Sequence, residues 1–310
     1  MKIGFAVPNI GLVATPEAVK TVAQKAEALG YNSLWTVERL LWPVNPQLPY
    51  PATPDGSLPE VYKQCLDPLD TLTFAAAHTS TIKLAASVLD IPYYNPVTLA
   101  RRLTSIDVLS KGRLHVGFGV GWSPDEMQTT GADMKVRGSR ADEFIHVLKK
   151  IWTTNPVEHR GKFFTIPKSF IGPKPVQKPH PPIYLAAYTQ PALKRVATMA
   201  NGWNPAGVPI DGMVQMFGAI RQMAREAGRD PAELGMIVRA NLFITEKPVE
   251  KDRFIFVGSE DQIREDIAAC EKIGAEEVFL EVGFTPGGQL LDSWLRLLEE
   301  FKPPKTATAG

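Results

Sequence analysis

Three stretches of this chain put reactive side chains or backbone amides where chemistry is possible. The first is HVGFGVGWSPDE, residues 115–126, in which Gly117, Gly119 and Gly121 form G-x-G-x-G. Glycines at a strand end let a flat ligand or a phosphate approach the backbone, and they also relieve crowding where strands converge. A dinucleotide fingerprint needs G-x-G-x-x-G after a first strand, and here position 122 is Trp122, so that reading fails. The second is AAYTQPA, residues 186–192, which reads as a strand-to-helix turn. Amides at a helix start favour a phosphate, and simple capping of the helix by Thr189 is the alternative. The third is WTVERL, residues 35–40, which sets Glu38 and Arg39 at a strand end. Arginine stays cationic and cannot serve as a base at neutral pH, so Arg39 suits an anion or a rim carboxylate.

Other chemistries find no support. STIK, residues 80–83, matches S-x-x-K but straddles a helix end and a strand start, and has no S-D-N or K-T-G partner. The histidines, at 78, 115, 146, 159 and 180, are dispersed, with no H-E-x-x-H, and no G-K-[ST] loop occurs, so neither a metal site nor a P-loop is expected. Cys65 and Cys270 are far apart, which excludes a zinc ribbon and a disulfide framework. Net charge is +1 with no basic block, so neither nucleic acid nor an anionic membrane is an expected partner. MKIGFAVPNIG is too short an apolar run for a signal peptide and no 18-residue apolar stretch exists, so the expectation is a cytoplasmic protein with reduced thiols.

The elements that must position these residues alternate along 310 residues. Strands are predicted at 2–7, 33–37, 82–89, 113–119, 182–187, 202–206, 235–245 and 276–282. Helices follow at 16–30, 67–79, 95–112, 137–152, 190–200, 211–228, 260–273 and 289–301. Thr15 with Pro16, and Asn95 with Pro96, are helix starts; Gly30 and Gly112 are stops. Eight βα units imply parallel strands closed into an α/β (β/α)₈ TIM barrel. Insertions are expected near 40–66 and 122–182, with a hairpin at 157–176. One domain is expected over 1–302, with 303–310 a flexible tail. In a barrel of this kind ligands bind at the carboxyl ends of the strands.

With that frame, several stretches together resemble the bacterial luciferase-like flavin and deazaflavin oxidoreductases. They are KAEALGYNSLW, LDIPYYNPVTLARRLTSIDVLSKGRLHVGFGVGW, RADEFIHVLKKIW, GKFFTIP, PPIYLAAYTQPALKRVATMANGW and FVGSEDQI, spread from residue 3 to about 301. The nearest resemblance is to the branch that uses coenzyme F420. It implies hydride transfer between a deazaflavin and a small organic substrate, with the protein supplying orientation, a closed pocket and a phosphate anchor. A reduced-FMN monooxygenase of the same fold is the alternative cofactor reading. A cofactor-binding protein without turnover, and an unrelated barrel hydrolase or lyase, are further ones. A homodimer is also expected.

The resemblance implies a non-prolyl cis peptide in a bulge ending the third strand, at Ser87–Val88 or else Val88–Leu89, backing the cofactor ring. It implies that Ala187, Tyr188 and Thr189 hold the cofactor phosphate. Many relatives carry an acid and then a histidine at the end of strand two, where this chain has Glu38 and Arg39. Arg39 is therefore the candidate for holding an anionic substrate or stabilising the reduced cofactor, with a rim salt bridge as the alternative. Period-two alternation with Trp35 and Val37 points Arg39 into the pocket and Glu38 away from it, provided the strand continues. Asn9 and Asn241 are candidate polar contacts to the cofactor, with turn or core hydrogen bonding as the equal alternative, and Gly119, Gly121 and Trp122 are candidate lining. Trp35, Trp42 and Trp203 are possible apolar walls. Asp125 and Glu126 are expected to form a solvated helix cap, with Glu126 reaching the site as the alternative.

Overall fold

The computed structural model describes residues 1–53 and 55–304. In chain order, β1 (Lys2–Ala6) leads to α1 (Pro16–Ala28), β2 (Ser33–Thr36) to α2 (Pro68–Ala77), and β3 (Lys83–Asp90) to α3 (Pro96–Leu109). Then β4 (Leu114–Gly119) is followed by a short α4 (Pro124–Thr130), the long α5 (Arg137–Thr153) and a hairpin, β5 (Val157–Arg160) with β6 (Thr165–Ser169). The alternation resumes with β7 (Ile183–Leu185), α6 (Gln190–Met199), β8 (Gly202–Trp203), α7 (Ile210–Glu226) and β9 (Gly235–Asn241). A small pair, β10 (Phe243–Ile244) and β11 (Val257–Gly258), precedes α8 (Glu260–Lys272), β12 (Glu277–Glu281) and α9 (Leu291–Glu300). Residues 305–310 of the expected tail lie outside the described residues.

The barrel closes in the order β1, β12, β9, β8, β7, β4, β3, β2, every pair parallel. The (β/α)₈ expectation is borne out, and so is the inserted hairpin, whose strands pair antiparallel. The helices begin where their caps dictate. Thr15 Oγ1 accepts from the Ala18 amide at 3.2 Å and Asn95 Oδ1 from the Val97 amide at 2.9 Å. Most of the apolar residues fill the layer between strands and helices. Inside the barrel a second cluster of Trp35, Ala85, Tyr184, Ile237 and Phe279 forms a plug, with Trp35 stacked on Phe279 at 4.3 Å. That plug makes the barrel a packed core, so a ligand on the barrel axis would sit above it, at the upper end formed by the strand ends.

Two features shape that upper end. The register of β3 against β4 shifts between Ala86 and Leu89, and the Ser87–Val88 peptide is cis. The shift turns both Ser87 and Val88 inward while Leu89 returns to the outer core. The other feature is the long loop at 40–66. It contains a 3₁₀ turn at Glu60–Lys63 and lies over the strand ends, where Ile10, Val37, Leu58 and Tyr62 pack with Trp42, Tyr50, Trp122 and Phe284.

Candidate active site at the barrel mouth

Strand β2 ends at Thr36, so alternation no longer governs Glu38 and Arg39, and both are held by the neighbouring loops. Arg39 donates from Nη1 to Glu126 Oε2 at 3.0 Å, and its guanidinium lies 4.8 Å from the Tyr62 ring and 5.4 Å from Trp122. Glu126 is 1% exposed, which corrects the expectation of a solvated cap. It sits within the first turn of α4, where it also accepts from the Leu40 amide at 2.9 Å and the Tyr93 hydroxyl at 2.9 Å. The carboxylate that Arg39 pairs with therefore comes from the glycine loop's own helix. Asp125, by contrast, is partly exposed and accepts from Gln47.

Glu38 turns the other way. Its Oε2 accepts from the Asp90 amide at 2.7 Å and its Oε1 from the Tyr94 hydroxyl. Burial first, and then the charge of Asp90, push the Glu38 carboxyl up to about 8. Asp90 ends β3, paired in register with Gly119. Burial and the Glu126 charge push its carboxyl up to about 7, against Arg39 and a 2.9 Å hydrogen bond from the Gly121 amide.

The three glycines serve this packing. A Cβ on Gly117 would run into the Ala86 carbonyl oxygen, and one on Gly119 would lie 2.5 Å from Asp90 Oδ1 and 2.7 Å from Val88. Gly121 has φ +69, with Met127 and the Tyr93 hydroxyl beside it. The space next to each is thus taken by protein atoms, and the absent side chains let β3 press against β4.

The floor of the mouth is a hydrogen-bonded set. Arg239, on β9, donates from Nη1 to the Ser87 carbonyl at 2.6 Å and from Nε to Asn241 Oδ1 at 2.8 Å. Its Nη2 lies 3.9 Å from Glu281 on β12, a carboxyl that burial pushes up. Since β9 and β3 stand opposite each other in the ring, this side chain crosses the lumen. Ser87 Oγ donates to Asn204 Oδ1 at 2.7 Å, and the neighbouring Trp203 donates from Nε1 to the Ala187 carbonyl at 2.9 Å. Two consecutive residues at the end of β8 thereby tie the β3 bulge to the turn that opens α6.

At that turn Ala187 is buried, whereas Tyr188 and Thr189 are exposed. Thr189 stands at the N-cap of α6, but no side chain caps the helix. Tyr188 folds over the end of β8, its hydroxyl donating to the Ala206 carbonyl at 3.3 Å. Asn9 uses both amide protons on backbone, toward Val37 O at 2.8 Å and Leu66 O at 3.1 Å. Among the tryptophans, Trp122 stands at the mouth, Trp42 in the covering loop, Trp35 in the plug, and Trp203 in the outer layer. Cys65 and Cys270 are free thiols, and no group of potential metal ligands occurs among the described residues. No described helix is long and apolar enough to cross a membrane.

Sequence reasoning missed Asp90, Asn204, Arg239 and Glu281. Arg239 had a usable signal: it shares inward parity with Ile237 and Asn241 in an otherwise apolar strand, so a charge there must enter the barrel.

The family model for luciferase-like monooxygenases matches residues 3–253. The chain belongs to that family. It is 36% identical to an uncharacterised protein of Mycobacterium tuberculosis over 220 residues, 70% of this chain and 76% of that protein. It is 27% identical to the FMNH₂-dependent dimethylsulfone monooxygenase of Pseudomonas putida over 179 residues, 57% of this chain and 48% of the other. The fold is shared with an F420-dependent secondary alcohol dehydrogenase solved with an F420–acetone adduct, at a TM-score of 0.77 and 17% identity, covering 97% of this chain and 99% of that one. Of the last two proteins, the first is named for reduced FMN and the second for F420.

Proposed function

We propose that this chain is an F420-dependent oxidoreductase that moves a hydride between the deazaflavin and a small organic substrate. The observation that carries the reading is the combination at one barrel end of an uncapped helix start and buried carboxyl groups poised near neutrality. The residues present fit such a cofactor. The exposed turn at Tyr188 and Thr189 offers first-turn amides of α6 to a phosphate, since no side chain occupies them. Val88, half-buried on the inward bulge, offers an apolar face to a flat ring, above a floor that carries the Arg239 cation.

When bound, a deazaflavin supplies or accepts two electrons as a hydride. The protein's own groups do the rest. The loop at 40–66 and Trp122 cover the strand ends and exclude water, and the Arg39–Glu126 pair fixes α4 against that loop. The carboxyl groups of Glu38 and Asp90 hold protons within the mouth, a need of hydride chemistry on polar substrates that Arg39 cannot meet.

Titration with F420 and with FMN, followed by quenching of cofactor fluorescence, tests the reading. F420 is expected to bind more tightly than FMN. Tighter FMN binding together with FMN-dependent oxygen consumption would make the chain a monooxygenase like the dimethylsulfone enzyme it resembles. We also propose a homodimer, which sedimentation equilibrium tests.

A further inference from the structure

We infer that Asp90 is the acid–base residue of the mouth, exchanging a proton with the substrate while Glu38 and Glu126 set its environment. This rests on the mouth being the redox site. The geometry singles Asp90 out from the other carboxyl groups. Both oxygens of Glu38 are occupied, by the Asp90 amide and the Tyr94 hydroxyl. Glu126 is buried and engaged by Arg39, Tyr93 and the Leu40 amide. Glu281 is buried on the far side of the lumen beside Arg239. Asp90 alone of these has one oxygen fixed, Oδ1 on the Gly121 amide, and a second, Oδ2, that has no partner among the described residues, on a side chain that is only half-buried.

Its position suits the task. Asp90 lies two residues beyond Val88 on the same inward face, next to the bare Cα of Gly119. A proton on Oδ2 therefore stands beside the surface that would back a ring. The charged and titratable groups facing it are Glu38 and Arg39 from the β2 end, Glu126 from α4, and Tyr93 and Tyr94 from the turn that follows β3. The acidic neighbours and burial favour the protonated form, and Arg39 opposes them, which leaves the group able to work in both directions near neutrality.

The step balances as follows. In the reducing direction one atom of a polarised double bond, such as a carbonyl carbon, takes the hydride from the reduced deazaflavin. Its partner atom takes the proton from Asp90 Oδ2, and the π bond is lost. The substrate gains two electrons and two hydrogens, the cofactor is oxidised by two electrons, and Asp90 is left as carboxylate until solvent reprotonates it. Oxidation of an alcohol runs the same transfers backward.

Asp90→Asn keeps the Oδ1 acceptor for Gly121 and removes the exchangeable proton. The first measurement needs no cofactor. Infrared difference spectra of the Glu38→Gln protein between pH 5 and 9, in which the Glu38 carboxyl no longer contributes, should show the carbonyl stretch of a protonated carboxyl group fading near pH 7, and Glu38→Gln combined with Asp90→Asn should lack that change. Glu126→Gln should move the midpoint to lower pH, because a negative neighbour is gone and Arg39 is released. The second measurement uses whichever of F420 or FMN the titration shows to bind, in reduced form, with menadione as the acceptor. Asp90→Asn should bind that cofactor within about threefold of wild type and lose about 100-fold or more in turnover, and the pH midpoint of turnover should vanish. An infrared change near pH 7 that survives in the double variant, or wild-type turnover and pH profile in Asp90→Asn, overturns the assignment. Failure of both cofactors to bind refutes the redox reading instead, while the infrared result still decides whether Asp90 holds the proton.

Discussion

Arg39 illustrates how one residue is fixed by what it must neutralise. Its side chain is 8% exposed and that of Glu126 2%, so each is the other's counter-ion out of reach of water. Removing one charge strands the other. Arg39→Met should lose about 3 kcal/mol in urea unfolding, the lower end for a broken buried pair, because Glu126 keeps its bonds from Leu40 and Tyr93. Arg39→Met combined with Glu126→Gln should recover at least half of that loss; no recovery would show that the aromatic packing against Tyr62 and Trp122, and not the charge pair, makes Arg39 necessary. Sequence alone offered a rim carboxylate as one partner for Arg39. It did not identify Glu126, since 87 residues separate the two and only the closure of the barrel brings α4 under the β2 end.

At the scale of elements, α6 separates two effects that usually travel together. Thr189→Asp puts an acceptor and a negative charge at an N-cap that now has no side-chain bond. The helix should gain about 0.5–1 kcal/mol in stability. A phosphate at the same amides should be repelled, so cofactor affinity should fall at least about tenfold. Chemical denaturation and fluorescence titration on one sample check the opposite signs, and equal cofactor affinity would remove the phosphate from this turn. The elements themselves were legible because each carries local signals: the Thr15 and Asn95 caps, the glycine stops, and eight apolar runs separated by amphipathic stretches. The site was legible only in part. Glu38 and Arg39 were flagged by their place at a strand end and by comparison with the family pattern, and Ser87 and Val88 by what the resemblance implies for the third strand. Asn204 and Glu281 gave no comparable signal, because their meaning comes from partners on other strands: Ser87 lies 117 residues from Asn204, and Arg239 reaches Glu281 from the neighbouring strand.

For the whole molecule, the buried carboxyl groups set a slope of stability against pH. Glu38 and Asp90 are held well above the ordinary carboxyl range, so the folded chain keeps protons that the unfolded chain has released. Their contribution is therefore full in acid below that range and is lost as pH rises to about 8. Melting temperature should fall from pH 5 to 9 by about 2 °C or more beyond the fall in Glu38→Gln, and parallel slopes in differential scanning calorimetry would place the ionisation elsewhere. A last consequence comes from Arg239. Its guanidinium joins β9 to the opposite strand β3, so it spans the two halves of the chain instead of binding within one. Recombining half-barrels between relatives would therefore be unsafe even where every seam of backbone pairing is preserved. A chimera that takes residues 1–120 from this chain and the remainder from a relative lacking arginine at the matching β9 position would leave the Ser87 carbonyl without its donor. Restoring that single arginine should rescue such a hybrid more than any repair at the seams.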